Sequence, residues 1–372
     1  MHLTRTILTP ILFAANLLLA LLLIATAYGG RIAPDESTLP SVAAMTFPVW
    51  LLLTIICLII NIFLFRKIVL LNLLSLICCW GPVLDYAPLN IFHSSDKGKE
   101  GDSFTLMTYN VLNLWDFRYA DDEDPDKKFS SATLDYIMKV HPDIVALQEC
   151  SRYEIQTWEK KYPAKGDSLR ELYPHRVFGT KDGMSLLSLY PFEEIEIPDL
   201  PESSSFYAVC YRIKLEAHDL YLINVHLQSI GLSSNDKALY RELTEGEART
   251  KKMLKEVKRD LLSKLTDAYR KRAVQARVLR NFINTLPPDV ILCGDFNDIP
   301  GSYSVNTILG DDMRSAYREE GFGPGISYHA DRFYFRIDHC LYRGDLTPTS
   351  CRVIRHPSSD HYPLLTTFKW TD

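Results

Sequence analysis

The stretch ILCGDFNDIP, residues 291–300, opens with an apolar run and then places Asp295 and Asn297 two positions apart. An apolar run bounded by glycine and proline predicts a buried strand that ends near these residues. Residues i and i+2 of a strand share a face, so the carboxylate and the amide would project together from its tip. Because a buried charge costs several kcal/mol unless it is paired or binds a metal, a carboxylate at this position needs a partner.

Polar side chains lie at the ends of other predicted strands as well. They are Asn110 in TYNVL, Glu149 in LQEC, His226 in NVHLQS, Asp338 in RIDH, and Asp360 with His361 in SDHYP. Each alone has a structural explanation, such as a turn cap for Asn110 or a satisfied core position for His226. Carboxylates, amides and imidazoles at so many strand tips are explained more simply if they converge on one site.

The part of the chain after residue 103 alternates short strands with a few helices. FTLMTYNVL (104–112) and DIVALQEC (143–150) have strand patterns, whereas SATLDYIMKVHP (131–142) is helical. Strands dominate, which predicts two packed sheets with covering helices. The charged stretch 236–270 is predicted to be a solvated surface helix, with a substrate lid as the alternative, and RKRAVQARVLRNFI (270–283) is predicted to pack beside the GDFND strand.

Charge and cysteine content exclude some classes of protein. The first hundred residues hold only six of the 41 basic and five of the 46 acidic side chains, which leaves a net charge of −6 for residues 101–372. A general nucleic-acid binder usually carries a basic field that neutralises phosphates, so bulk charge gives no support to that class. The eight cysteines lack C-x-x-C spacing. We predict that most are small core residues, with one disulfide as the alternative.

Three apolar segments precede the globular part, at about residues 7–29, 43–65 and 68–88. Helices of about 20 apolar residues span a bilayer. We therefore predict about three transmembrane helices within an anchor at 1–92, a linker at 93–103 and a catalytic domain at 104–372. A cleaved signal peptide is the alternative for the first segment, because Arg5 precedes it.

Basic residues predict the orientation of these segments. Arg5 precedes the first segment, and Arg66 and Lys67 lie between the second and the third. The positive-inside rule places these residues in the cytoplasm. Three spans then predict a multi-pass membrane protein with an extracytoplasmic catalytic domain. If the third segment, which Pro82 and Asp85 interrupt, does not cross, the domain is cytoplasmic instead.

The available donor atoms distinguish between classes of metal and nucleotide site. Oxygen ligands with few carboxylates suit Mg²⁺, which keeps much of its water and shares a substrate phosphate. The sequence has no thiolate cluster and no H-E-x-x-H, which argues against zinc. It also lacks the G-x-x-x-x-G-K-[ST] loop of NTPases and the G-x-S-x-G turn of serine hydrolases.

In this order along the chain, TYNV, LQE, LLSLYP, NVHLQS, GDFND, RIDH and SDHYP resemble the endonuclease/exonuclease/phosphatase family over roughly residues 104–370. The resemblance implies an α+β fold, a four-layered α/β sandwich in which two packed mixed β-sheets are flanked by helices. It also implies Mg²⁺-dependent cleavage of a phosphoester, with Mn²⁺ as a possible substitute. The stretch after Asn110 lacks the aspartate that apurinic-site enzymes place two residues on.

The resemblance also implies a role for each site residue. Glu149 looks like the main metal ligand, with Asn110 and Asp360 near it. Asp295 would align or deprotonate the attacking water, and Asn297 would hold a phosphate oxygen.

The imidazoles complete the implied site. His361, oriented by Asp338, would serve as a base or as a donor to the phosphate, and His226 would contact the phosphate or aid the leaving group. A His–Asp pair fixes the imidazole tautomer and raises its basicity, which suits proton transfer near neutral pH. The sequence leaves the general base open between Asp295 and His361.

We therefore predict a membrane-anchored, Mg²⁺-dependent phosphoesterase that contacts the lipid bilayer, and the sequence indicates no protein partner. Its substrate would be a phosphate ester of a lipid headgroup, a small molecule or a nucleic acid. The net charge and the anchor favour the first two. A nuclease acting on DNA or RNA is the alternative, and it would be expected to carry a basic ridge beside the site. A non-catalytic binding module is a further alternative, against which the complete set of site residues argues.

Overall fold

The computed structural model describes residues 2–91, 103–180, 183–200, 206–215, 218–231, 251–330 and 333–371. The predicted linker at 93–103 lies outside these residues except for Ser103, and so does the first part of the predicted charged helix, 236–250.

The described helices, in chain order, are α1 (His2–Tyr28), α2 (Leu39–Ala44), α3 (Phe47–Leu64), α4 (Arg66–Cys78), α5 (Trp80–Tyr86), α6 (Pro125–Lys128), α7 (Ala132–Val140), α8 (Arg152–Lys161), α9 (Pro163–Leu172), α10 (Lys251–Ile283), α11 (Tyr303–Leu309) and α12 (Ala316–Glu320). The described strands are β1 (Ser103–Asn110), β2 (Ile144–Gln148), β3 (His175–Phe178), β4 (Ser185–Ser188), β5 (Phe192–Ile195), β6 (Tyr207–Leu215), β7 (His218–His226), β8 (Val290–Asp295), β9 (Arg314–Ser315), β10 (Asp338–Arg343), β11 (Leu346–Val353) and β12 (Leu364–Trp370).

Helices α1, α3 and α4 pack against one another and form an N-terminal bundle with α2 and α5. Leu23, Phe47, Leu51 and Cys79 fill its interior. Its outer surface carries large exposed apolar side chains, of which Phe63 is 78% exposed. Because the whole sequence of α3 is apolar or uncharged, this helix has apolar residues on every side.

The third predicted span, about residues 68–88, is broken. Helices α4 and α5 meet at a bend of 63°. Pro82 explains the break, because a proline inside a helix has no amide hydrogen and its ring clashes with the carbonyl four residues earlier, here that of Cys78 at the end of α4. Two helices are long and apolar enough to cross a membrane, or three if the bent pair is one span. Two of the predicted spans are therefore matched by long apolar helices, and the crossing of the third segment stays a prediction.

Three buried asparagines join the helices of the bundle. The amide of Asn61 on α3 donates to Asn16 on α1 at 3.0 Å and to Asn72 on α4 at 2.9 Å, and Asn72 donates to Asn16 at 3.0 Å. A buried amide without partners is unfavourable, and in an apolar environment water cannot supply them. The triangle therefore ties α4 to the two longer helices.

The strands form two six-stranded mixed sheets. The first has the order β11-β12-β1-β2-β4-β3, and the second β5-β6-β7-β8-β10-β9. One pair in each sheet is parallel, β1 with β2 and β7 with β8, and the other neighbours are antiparallel. Every residue of β2 and β8 is buried, as expected for central strands of sheets that are covered on both faces.

Apolar packing on both faces of each sheet produces four layers. Phe104, Leu106, Ile291 and Tyr342 belong to the core between the sheets. Helices α7, α8 and α9 cover the outer face of the first sheet, and α10 and α11 cover that of the second. This arrangement confirms the prediction of two packed mixed sheets that are flanked by helices. We call this part of the chain, residues 103–371, the sandwich. All eight cysteines are free, and the five in the sandwich are buried.

A polar contact crosses the core between the two sheets. The Gln148 amide at the end of β2 donates to the Asn224 side chain on β7 at 2.6 Å, and Asn224 donates to the Leu147 carbonyl at 3.0 Å. Both side chains are fully buried. The next residue after Gln148 is Glu149, and His226 lies two residues after Asn224. The contact therefore fixes the spacing of the strand tips that carry these two side chains.

Replacing Asn224 by leucine is expected to destabilise the sandwich by about 2–3 kcal/mol, because the Gln148 amide and the Leu147 carbonyl lose buried partners. The Tm of the detergent-solubilised protein should fall by roughly 5–10 °C. Asn281→Leu is the matched control, since Asn281 lies on the exposed face of α10. An unchanged Tm in Asn224→Leu would show that the contact does not hold the sheets together.

Candidate active site

The register of the second sheet brings three predicted site residues side by side. His226 at the end of β7 is the register partner of Asp295 at the end of β8. Asp295 is in turn the partner of Asp338 at the start of β10, which runs antiparallel to β8. Residues in register on adjacent strands have neighbouring side chains. These three polar side chains therefore lie in a row at one edge of the sheet.

The first sheet contributes Asn110 and Glu149 from the adjacent tips of β1 and β2. The Asn110 amide donates to Glu149 Oε1 and to Asp295 Oδ2, both at 3.1 Å, and so bridges the two sheets. Glu149 has a positive φ of 53°, which ends β2. The chain enters α8 directly afterwards through a capping box of Ser151 and Glu154. The early start of α8 leaves the Glu149 carboxylate at the tip of the sheet.

His361 contacts two buried carboxylates. Its Nδ1 lies 2.8 Å from Asp338 Oδ2, and its Nε2 lies 3.6 Å from Asp295 Oδ2. The Tyr328 ring packs edge-on against the imidazole, with ring centres 5.0 Å apart. The Asp338 backbone amide donates to the Ser327 hydroxyl at 3.1 Å, which anchors the start of β10. The imidazole is thus held in place from both of its sides.

Burial and charge shift the acidity of this cluster. Burial raises the pKa of Asp295; His361 opposes this increase, and the Asp338 carboxylate adds to it. Burial alone would lower the pKa of His361, but the carboxylates of Asp338 and Asp295 outweigh it and hold that pKa well above its usual value. The cluster therefore favours a proton on His361, shared with the carboxylates around it.

Asn297, His226 and Asp360 complete the predicted set. The Asn297 backbone amide donates to Asp295 Oδ1 at 2.7 Å, and its side chain donates to the Leu227 carbonyl at 3.0 Å. His226 Nε2 lies 3.6 Å from Asp295 Oδ2 and 3.8 Å from Glu149 Oε1. Asp360 is mostly buried.

A cavity of about 290 Å³ opens over these residues. Six of the eight predicted site residues line it: Glu149, His226, Asp295, Asn297, Asp360 and His361. Asn110 and Asp338 lie behind the lining and hydrogen-bond to it. The structure therefore brings all eight residues together, although they come from segments as far apart as residues 110 and 361.

Comparison with known protein families agrees with this arrangement. The sequence model of the family described as the endonuclease/exonuclease/phosphatase family matches residues 107–361 of this chain. The chain belongs to this family. A second model, described as a domain of unknown function (DUF8431), matches residues 9–86. No curated protein sequence matches the chain.

Solved structures similar to this chain include three that each match nearly three quarters of its length. A humanized D. rerio TDP2 is 17% identical, with a TM-score of 0.48 over 72% of this chain and 100% of that one. The catalytic domain of human Nocturnin with a bound sulfate anion is 17% identical, with a TM-score of 0.47 over 73% of this chain and 97% of that one. An endonuclease/exonuclease/phosphatase family protein from Bacteroides thetaiotaomicron is 15% identical, with a TM-score of 0.46 over 73% and 96%.

Members of the endonuclease/exonuclease/phosphatase family are divalent-metal-dependent hydrolases of phosphoesters. The donor atoms of this site can be compared with the needs of such an ion. Ligand atoms of Asp295, Asp338 and His361 lie within 4.8 Å of one another. However, the His361–Asp338 hydrogen bond already engages two of these groups. The Glu149 side chain is 30% exposed and faces the cavity, whereas Asp295 is 2% exposed. Oxygen donors on the open side of the cavity fit a hard divalent cation.

Sequence reasoning missed several residues of the site. Tyr328 packs on His361, and Arg272 on α10 lines the cavity. The Arg272 side chain is almost fully buried, and its Nε donates to Asp298 Oδ2 at 3.2 Å. Asp298 lies in the same GDFND motif as Asp295. As the third polar residue of that motif, it could have been included in the predicted site. No comparable signal marked Arg272 within its basic helix.

Proposed function

We propose that the chain is a membrane-anchored, Mg²⁺-dependent phosphoesterase that hydrolyses its substrate by attack of water. The observation that carries this proposal is the convergence of eight polar side chains from distant segments on one cavity. Such convergence of buried ionisable groups is typical of catalytic sites. Family membership supports the same class of reaction.

Glu149, Asp360 and the Asn110 amide are the residues that would hold the ion. The ion would neutralise charge on the phosphate and polarise the bond to phosphorus. Asn110 already connects the Glu149 and Asp295 carboxylates through its amide. It would therefore also set the distance between the group that holds the ion and the group that acts on water.

Asp295 and His361 are the groups placed to move protons. The Asp295 carboxylate would align the attacking water, and its position is fixed by the backbone amide of Asn297. The imidazole of His361 would donate to a phosphate oxygen or accept a proton from water, with Asp338 holding its other nitrogen. Because the carboxylates raise the pKa of His361, we favour the donor role for His361 and assign the water to Asp295.

His226 and Asn297 would contact the phosphate itself. His226 lies between Glu149 and Asp295, where an N–H can neutralise an oxygen of the phosphate or of the leaving group. Asn297 adjoins Asp295 in the cavity lining. Its side-chain amide would donate to a second phosphate oxygen after releasing the Leu227 carbonyl, to which it now donates. Together they would bind the charge that develops during the reaction.

The electrostatics of the cavity do not favour the alternative of a nuclease. Among the described residues that line it, Arg272 is the one arginine or lysine, and Asp298 neutralises it. A nucleic-acid backbone needs several cations along its path. We therefore propose that the substrate places a single phosphoester in the site.

The N-terminal bundle supports membrane anchoring. Its exposed apolar side chains form a surface of the kind that soluble proteins avoid. The loop after α1 and the end of α5 both contact the sandwich, through Asp35 and Asp85. Helix α3 has 18 residues and is about 27 Å long, so the turn with Arg66 and Lys67 lies at the far end. If these basic residues are cytoplasmic, as the positive-inside rule predicts, the sandwich would lie outside the cytoplasm.

Glu149→Gln and His361→Ala are each expected to lower the hydrolysis of bis(4-nitrophenyl) phosphate by about 10²–10⁴-fold, because each removes a group that would act on the phosphate or its ion. The full-length protein in detergent is assayed with Mg²⁺, after chelation, and after Mn²⁺ is added back. Chelation should abolish turnover, and either ion should restore it.

Glu171→Gln is the control, since Glu171 is exposed on the far end of α9, and it should retain full activity. Normal turnover in Glu149→Gln or in the chelated protein would contradict the proposed site. A Tm close to that of the unchanged protein separates a lost function from a lost fold.

A reporter enzyme that is active only outside the cytoplasm tests the orientation. Fused after residue 95, it is expected to be active, because three crossings bring the chain to the outer side. Fused after Lys67, it is expected to be inactive. The reverse pattern would place the sandwich in the cytoplasm.

A further inference from the structure

The cavity over the candidate active site is lined by two chemically different sets of residues. One set is the carboxylates and imidazoles described above. The other is apolar and includes Met45, Ile230, Leu265, Phe333 and Phe335, which we call the apolar wall. The reaction of a phosphate ester with water makes no use of such a wall. The apolar wall therefore indicates a substrate that has an apolar part next to its phosphate.

Met45 shows where this apolar wall leads. It is the single described lining residue from the N-terminal bundle, and it lies between α2 and α3. Two residues further on, Phe47 begins the apolar helix α3. The wall thus continues from the cavity to the end of a helix that is long and apolar enough to cross a membrane.

Specific contacts hold the bundle against the sandwich at this point. Arg277 on α10 pairs with Asp35 at 2.8 Å. Asp85 on α5 pairs with Arg318 and accepts from the buried Arg336 through its carbonyl. These contacts come from two separate parts of the bundle. They fix the position of Met45 relative to the catalytic residues.

The backbones also approach closely at this interface. A Cβ on Gly30 would lie 1.9 Å from the carbonyl oxygen of Gly301, so the two chains are too close there for a side chain at residue 30. Gly301 lies six residues after Asp295 in the chain. Since Met45 of the bundle lines the cavity together with residues of the sandwich, both parts of the chain contribute to the cavity.

We propose, on the basis of the phosphoesterase function above, that the substrate is a lipid phosphoester whose apolar chain lies along this wall. The phosphate would sit on the Glu149–His361 side, and the first carbons of the chain would contact Leu265, Phe335 and Met45. A cavity of about 290 Å³ is small for a whole lipid. The rest of the chain would continue along the apolar surface of the bundle into the bilayer.

The chemistry is a hydrolysis that needs no further reactant. The oxygen of water forms a bond to phosphorus, and the bond from phosphorus to the alcohol oxygen breaks. The Asp295 carboxylate takes up the proton lost by the water and releases it to solvent, and the oxygen of the leaving alcohol takes up one proton from solvent, so that the protons balance. An apolar wall adds binding for the chain of the ester in proportion to the methylene groups it covers.

A series of 4-nitrophenyl alkyl phosphodiesters tests the proposal directly. The full-length protein in detergent with Mg²⁺ is given the methyl, butyl and octyl diesters below their micelle concentrations. Each buried methylene is worth about a 3-fold gain in binding. The kcat/KM for the octyl diester is therefore expected to exceed that for the methyl diester by at least about 100-fold.

Substitutions in the apolar wall test where the chain binds. In Leu265→Asn and in Met45→Asn, the ratio of octyl to methyl kcat/KM is expected to fall at least about 10-fold, mainly through a higher KM for the octyl diester. Two variants are used so that poor folding of one does not decide the test. Val274→Asn is the control, because Val274 is on α10 but is exposed and does not line the cavity, and its ratio should not change.

The outcomes distinguish this inference from the proposed function. Equal kcat/KM for the methyl and octyl diesters would overturn the lipid substrate and leave the phosphoesterase intact. A single-stranded oligodeoxynucleotide that is cleaved with a higher kcat/KM than the octyl diester would also overturn it. Absence of Mg²⁺-dependent hydrolysis of every ester, including bis(4-nitrophenyl) phosphate, would overturn both proposals.

Discussion

The burial of Asp295 is the constraint on which the site depends. This carboxylate is almost completely removed from solvent, so its charge must be balanced by neighbours or by a proton. Asn110 reaches it from the first sheet and His361 from the chain after β11. His226 lies beside it in the second sheet. The two sheets and the C-terminal segment must therefore pack in one particular arrangement for Asp295 to be tolerated.

The interface between bundle and sandwich extends this arrangement to the N-terminal bundle. Arg336, which donates to the Asp85 carbonyl, lies two residues before Asp338. Asp338 in turn holds the imidazole of His361. A shift of the bundle would thus change the position of the start of β10 and of the His361 imidazole. These contacts hold the candidate site at a fixed position and orientation relative to the helices of the bundle, which a flexible linker alone would not provide.

The residues at strand tips could be predicted from the sequence because each one breaks a local apolar pattern, as Asp295 does in ILCGDFND. The partners that hold them could not. The Gln148–Asn224 contact and the Asn110 bridge join residues 76 and 185 positions apart, and no local pattern encodes such a pairing. The asparagine triangle of the bundle is hidden for the same reason. The break near Cys79 agrees with the interruption of the third segment by Pro82, which the sequence shows.

We propose that the strand tips surround a single divalent ion held by Glu149, Asp360 and Asn110. Crystals of the full-length protein soaked in Mn²⁺ and measured at an anomalous wavelength test it most directly. We expect one anomalous peak in the cavity, within about 2.0–2.3 Å of an oxygen of Glu149, the range expected for small hard cations bound by oxygen. A peak bound instead between Asp338 and His361, or no peak in the cavity at saturating Mn²⁺, would contradict it.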